Sequence, residues 1–318
     1  AASDVYKRQL HLVPYLRKAD GEMKPSICIP KRGAGLLLGL CLAGGPALAA
    51  TLNVDCDAGQ TMTAALINIK PGDIMLVSGT CKEHVNVAPE IVRVTLDGQK
   101  KTTIQHPGGP AASPHAVYVR AKEITMKGFT VTGGQDGIHL SGPASAVIDG
   151  NVVIKNSGRG IHIDKGSIAR ILNTRVEDNG SIGVDVTGAS YAYIGVFIPR
   201  VPTLAPNTIR NNGGPGINIE RSSGAWIVGN TISGNKESGI AVHRSAQADV
   251  IGNLINANGG DAITASFMGG VNFKSEPRQD GPNQTASGQP NAGFGVRCMV
   301  GGYVDGPMGC LLYTSDAA

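Results

Sequence analysis

The residues best suited to chemistry recur at one interval. His139, His162, Asp185 and Asn218 follow one another at steps of 23, 23 and 33 residues. Two positions further on, the same steps link Ser141, Asp164, Thr187 and Glu220, and a further 23 reaches His243. Lys165, Arg221 and Arg244 each sit one residue beyond that second column. If the interval is structural, three histidines, three acids and three bases share one strip, and a cluster of titratable groups is the default place to look for a site.

Several chemistries suit such a strip. A lyase acting on a polyuronate needs a base for the proton beside the carboxylate and positive charge for the developing enolate. Arg221, Arg244 and Lys165 are the candidates for those catalytic roles. His139, His162, His243 and Asn218 are candidate substrate-binding residues. Asp164, Asp185 and Glu220 are candidate metal ligands, and Ca²⁺ is the cation whose preference for oxygen they meet. A hydrolase would instead need two carboxylates roughly 5–10 Å apart, which Asp164 and Glu220, two repeats apart, are placed to offer. A transition metal on His139, His162 and Asp185 has no familiar zinc spacing behind it. Outward positions of any exposed strand are polar as well, so a plain solvated surface is the competing reading.

The elements that would align these residues are repeats. Gly137-Ile138-His139-Leu140 returns as Gly160-Ile161-His162-Ile163, Gly183-Val184-Asp185-Val186, Gly216-Ile217-Asn218-Ile219 and Gly239-Ile240-Ala241-Val242, with Ala262-Ile263-Thr264-Ala265 a degraded copy. The same steps separate Ile148, Ile171, Ile194, Ile227 and Val250. They also separate Val153, Val176, Ile209, Ile232 and Ile255, and again Asn156, Asn179, Asn212, Asn235 and Asn258. Strand side chains alternate, so the aliphatic pair of each Gly-Ile-x-Ile faces inward and x faces out. Three aliphatic columns in 23 residues predict three short strands per coil, with coils stacked about 4.8 Å apart. The predicted fold is therefore an all-β, right-handed parallel β-helix, since parallel crossovers take that hand. The asparagine column is expected to hydrogen-bond from coil to coil.

Composition agrees with many tight turns: 45 of 318 residues are glycine and only 4% are aromatic. The net charge of +4 owes most of its excess to residues 1–49, which hold seven Lys/Arg and three Asp/Glu. The rest is nearly balanced, leaving no basic field for nucleic acid. Trp226 is the only tryptophan, which argues against an aromatic sugar-stacking groove.

Organisation along the chain is read as follows. Residues 1–22 and 310–318 continue no internal pattern and read as non-native or leader sequence. Residues 23–49 read as a signal peptide: Lys24, Lys31 and Arg32 precede an apolar run from Gly33 to Gly45 and an Ala47-Leu48-Ala49 cleavage site. The apolar run is too short to span a bilayer. Residues 50–90 should form an N-terminal cap and first coils, with a short helix at Thr61–Ile69; residues 91–273 form the β-helix; residues 274–309 form a loop and an incomplete C-terminal cap. The ten extra residues between Ile194 and Ile209 are proline-rich and should leave the stack at a corner. Export places the chain in an oxidising compartment, which predicts a Cys56–Cys81 disulfide and leaves Cys298 and Cys310 unassigned.

The chain resembles the right-handed parallel β-helix repeat proteins of the pectate-lyase-like superfold. The likeness rests on Asn-x-x-Gly-x-Gly-Ile-x-Val patterns such as Asn156-Ser157-Gly158-Arg159-Gly160-Ile161-His162-Ile163 and Asn212-Gly213-Gly214-Pro215-Gly216-Ile217-Asn218-Ile219, over roughly residues 52–273. It implies secretion to the extracellular space, periplasm or cell surface, and a polysaccharide partner. That superfold holds polysaccharide lyases, glycoside hydrolases, uronate epimerases and adhesins, so fold does not select an activity. The Asp-Asp and Gly-His-Gly motifs of the galacturonan hydrolases and the Asp-Pro-His-Asp motif of the uronate epimerases are absent. The leading expectation is a carbohydrate-engaging β-helix of polysaccharide-lyase type; the alternative is a non-catalytic scaffold or adhesin.

Overall fold

A computed structural model describes residues 49–109, 113–197, 203–273, 283–284 and 288–306. The expected signal segment lies outside the described residues except for Ala49, as do Cys310 and both sequence ends. The remainder is a right-handed parallel β-solenoid of about nine turns.

One face, here sheet I, contains nine parallel strands and carries the Gly-Ile-x-Ile segments. Ile161–Ile163 pairs with Asp136–Leu140 on one side and Val184–Val186 on the other, joining Ile138, Ile161 and Val184 in register. The other two faces form a seventeen-stranded sheet II, because Thr95–Gln105 and Ile124–Thr132 run unbroken around the corner between them. Ile148, Ile171, Ile194, Ile227 and Val250 align along one face of sheet II, and Val153, Val176, Ile209, Ile232 and Ile255 along the other. All three predicted aliphatic columns are buried and meet in a single core. Each such side chain contributes about 1.5–3 kcal/mol relative to exposure.

Corners hold the coils apart and in phase. Lys155, Asp178, Asn211 and Ala257 each turn the chain with a left-handed backbone, φ 54–55°, immediately before an asparagine. That asparagine column runs from Asn156 to Asn291: each Nδ2 donates to the next Oδ1, at 2.9 Å for Asn156 to Asn179 and 2.8 Å for Asn258 to Asn291. A second buried column, Asn207, Asn230, Asn253 and Asn283, does the same at another corner. The sequence columns included the first ladder but not the second.

Two departures from expectation concern the ends. Thr51–Asp55 already pairs in parallel with Ile74–Ser78, so stacking begins ahead of the helix rather than after it. Helix α1, Met62–Leu66, is shorter than the apolar spacing suggested. The Thr61 hydroxyl accepts from Ala64 N–H, the Glu83 carboxylate accepts from Met62 and Thr63 N–H, and Met62 and Leu66 join the core. At the other end the repeat does not stop at Phe273. Val296–Met299 pairs with Ile263–Ser266, and Tyr303–Asp305 pairs with Gly270–Asn272. Residues 274–282 and 285–287 of the expected loop lie outside the described residues.

Of the insertion after Ile194, residues 198–202, with Pro199 and Pro202, lie outside the described residues. Val196–Phe197 and Thr203–Leu204 pair antiparallel, and Val196 packs on Val228 and Ile251 outside the main core. Cys56 and Cys81 form the predicted disulfide; Cys298 is a free, exposed thiol.

Candidate functional site

The outer surface of sheet I carries the strip. Register places Tyr118, His139, His162, Asp185 and Asn218 in one row, each on a successive coil. These x positions were expected to face solvent. They point away from the core yet are covered: His139 is 6% exposed, His162 8%, Asp185 1% and Asn218 5%. The cover comes from stacking and from neighbouring rows. The His139 and His162 rings lie 4.2 Å apart and nearly parallel, Tyr118 sits against His139, and Arg159 crosses from Asp136 to Asp185.

Asp136 is the hub of this arrangement. His115 and His162 each place Nδ1 3.2 Å from its Oδ2, and Arg159 Nη1 lies 3.6 Å from Oδ1. Burial alone would raise the Asp136 carboxyl; the two imidazoles and Arg159 reverse this and hold it well below the usual carboxylate range. Asp164 behaves alike: burial opposes ionisation, but His139 and the Ser141 hydroxyl lower its carboxyl to about 2. His139 shifts down, chiefly by desolvation and against the pull of Asp164, so its neutral form is favoured. His139 Nε2 faces Asp164 Oδ1 at 3.2 Å, and its Nδ1 lies 3.0 Å from His115 Nε2.

The predicted residues fall into separate groups. His139, His162 and Asp164 converge, with one donor atom from each within 4.8 Å of the other two. His115, Asp136 and His139 form a second such set. Asp164, Asp185 and Glu220 are not brought together among the described residues. Asp185 is held by Arg159 at 2.8 Å and accepts from Asn218 Nδ2 at 2.8 Å, whereas Glu220 accepts from Arg244 Nη1 at 2.8 Å and from Thr187. His243 Nε2 also approaches Glu220, at 3.6 Å, and burial shifts this imidazole down. Lys165, Arg221 and Arg244 stand in left-handed turns at the edge of sheet I, more than half exposed. Each is within 4 Å of a carboxylate: Lys165 of Asp164, Arg221 and Arg244 of Glu220.

Sequence reasoning missed His115, Asp136 and Arg159. His115 pairs with Asp136 across an irregular step of 21 residues, which a search for 23 overlooks. Arg159 precedes the repeated glycine, in a row of mixed residue types. It also missed an aromatic patch on sheet II. Tyr193 pairs in register with Trp226, and Tyr191, Tyr193 and Trp226 form a chain of ring contacts at 5.1 and 6.1 Å with Arg170 over Tyr193. The signal was present: the 33-residue step from Ile194 to Ile227 also carries Tyr193 onto Trp226. A cleft of about 620 Å³ opens at the corner within sheet II, lined by Asp97, Lys100, Lys127, Asp149 and Asn173.

Residues 115–275 match the family described as the right handed beta helix region. Among solved structures, pectate lyase Pel9A is similar with a TM-score of 0.53 at 13% identity, over 86% of this chain and 83% of that one. An alginate lyase from Paenibacillus sp. str. FPU-7 has a TM-score of 0.48 at 15% identity, over 81% of this chain and 99% of that one. No curated protein matches the sequence. At these identities the likeness is one of fold.

Proposed function

The chain belongs to the right-handed β-helix family, and from that premise we propose that it is an exported protein engaging extracellular carbohydrate through the outer surface of sheet I. One observation carries the reading: charged and polar side chains on an outward sheet face are buried there without serving the aliphatic core. Desolvating Asp136, Asp185, His139 and His162 costs free energy that a plain solvated face would not spend, which is the mark of a prearranged polar surface. The pectate lyase fold neighbour supports the substrate class, and the Cys56–Cys81 bridge supports an oxidising compartment.

In its enzymatic form the surface acts as a polysaccharide lyase. Arg221, Arg244 and Lys165 engage the uronate carboxylate, and His139, His162 and Asn218 of one row, with His243 of the neighbouring row, lie along the bound chain. Arginine suits this role because its planar fork matches a carboxylate. The non-catalytic scaffold or adhesin is favoured by a different observation: all three cations already have carboxylate neighbours, so none stands as a free base.

The test is incubation of the purified chain with acidic and neutral polysaccharides, following unsaturated-product absorbance, new reducing ends and binding. Arg221→Ala with Arg244→Ala should abolish product formation. If the wild type binds a polysaccharide without product and the double variant only weakens binding, the scaffold form holds. Absence of both product and binding from a folded protein sinks the carbohydrate reading.

A further inference from the structure

Hydrogen bonds constrain the tautomers of His115, His139 and His162, of which the last two stack and the first meets His139 edge-on. His162 presents Nδ1 to the Asp136 carboxylate in a hydrogen bond of 3.2 Å, which fixes the proton there and leaves a lone pair on its Nε2. His139 Nδ1 and His115 Nε2 share one hydrogen bond at 3.0 Å, and with Nδ1 as its donor a neutral His139 keeps a lone pair on Nε2. In that tautomer the lone pair of His139 Nε2 faces Asp164 Oδ1, 3.2 Å away. Both atoms are buried and neither has a hydrogen-bond partner. The His139 side chain is only 8% exposed. With His139 neutral and protonated on Nδ1, two acceptors face each other out of water, an arrangement that a bound cation relieves.

We propose that His139, His162 and Asp164 form a binding site for one divalent transition-metal ion of the zinc class. The donor set is two imidazoles and one carboxylate, which suits zinc or a similar first-row ion and not Ca²⁺, whose shell is six to eight oxygens. The spacing agrees. Two ligands each about 2.0–2.1 Å from a tetrahedral ion lie about 3.3 Å apart, close to the 3.2 Å between Nε2 and Oδ1. The surroundings are those of a metal centre too. Asp136 holds His162 through Nδ1, as carboxylates behind metal-bound imidazoles do, and His115 holds His139 in the same way. His162 Nε2 has one competing neighbour, Asp185 Oδ2 at 3.8 Å, itself drawn away by Arg159. A three-ligand set leaves coordination positions for water or a ligand atom, the pattern of a working centre.

The proposal does not rest on the carbohydrate reading, because the metal is titrated with no polysaccharide present. The chain is stripped with chelator, then titrated with Zn²⁺ by calorimetry and with Co²⁺ by visible absorption. The expected result is one Zn²⁺ per chain, undiminished by millimolar Ca²⁺, and a Co²⁺ spectrum of low-coordinate type. His139→Ala should abolish binding, Asp164→Asn should weaken it at least tenfold, and Asp136→Asn should weaken it about 10–100-fold through the ring it orients. Circular dichroism checks that each variant retains its fold. Failure of the wild-type chain to bind Zn²⁺, or equal affinity in a folded Asp164→Asn variant, overturns the proposal. A ¹⁵N signal showing His139 protonated on both nitrogens in protein that ignores Zn²⁺ would assign the contact to a buried imidazolium–carboxylate pair.

Discussion

At the scale of single residues, the glycine that opens each Gly-Ile-x-Ile segment is a steric requirement. A Cβ on Gly183 would lie 2.5 Å from Gly216 O and 2.8 Å from both Asn212 Nδ2 and Ile209 Cγ2. The obstacle is the backbone and asparagine ladder of the next coil, neither of which can yield locally. Gly183→Ala should therefore destabilise the fold by about 1–3 kcal/mol, read as a lower urea midpoint at unchanged slope. An unchanged midpoint would show that the coils can spread. The column of glycines was legible in the sequence, whereas its cause was not, because the clash is with residues 26 to 33 positions away. The same limit applied to the histidines. Their alignment was readable from the interval, but burial of an outward row depends on which side chains lie across it, and Arg159 and His115 belong to rows with no repeated type.

At the scale of elements, Glu177 shows how neighbouring coils are tied by charge. It is held at 2.7 Å by Arg175 on its own strand and at 2.7 Å by Arg210 on the next coil. Burial opposes its ionisation, but Arg210 and Arg175 prevail and its folded-state pKa lies below the ordinary value of 4.5. A depressed carboxylate stabilises fully above the unfolded-state pKa, and that contribution is lost as pH falls through the folded-state value. Denaturation of wild type and Glu177→Gln from pH 7 downward should show the wild-type advantage shrinking below about pH 4.5. A constant difference would assign the effect of the substitution to packing. Strand positions and faces were readable because like residues stack on like. The second asparagine ladder was not, since Thr174 stands between Asn151 and Asn207 and breaks its uniformity.

At the scale of the whole molecule, each coil is stable only through its neighbours, so stability is a sum along the axis. The Cys56–Cys81 bridge clamps the first coils across a sequence separation of 25 residues. Replacing both cysteines by serine should cost about 2–4 kcal/mol and lower the melting temperature, with hydrogen exchange quickening first around Thr51–Ser78. Uniform quickening along the chain would instead mean that the solenoid unfolds as one unit. The core and the three faces were legible because the pattern repeats. The continuation to Asp305 was hidden because the chain re-enters after a 33-residue step, as it does after Ile194, with Val296 resuming the place of Ile263.

The asparagine ladders give the molecule a direction. In both columns the bonds between side chains all run one way, from Nδ2 of one coil to Oδ1 of the next, while Nδ2 also donates to a backbone carbonyl of the coil before. Each asparagine is thus tied to the coil on either side of it along two corners of the stack. Reversing a coil within the stack would set amide against amide and oxygen against oxygen, so these edges encode the order of the coils as well as their spacing.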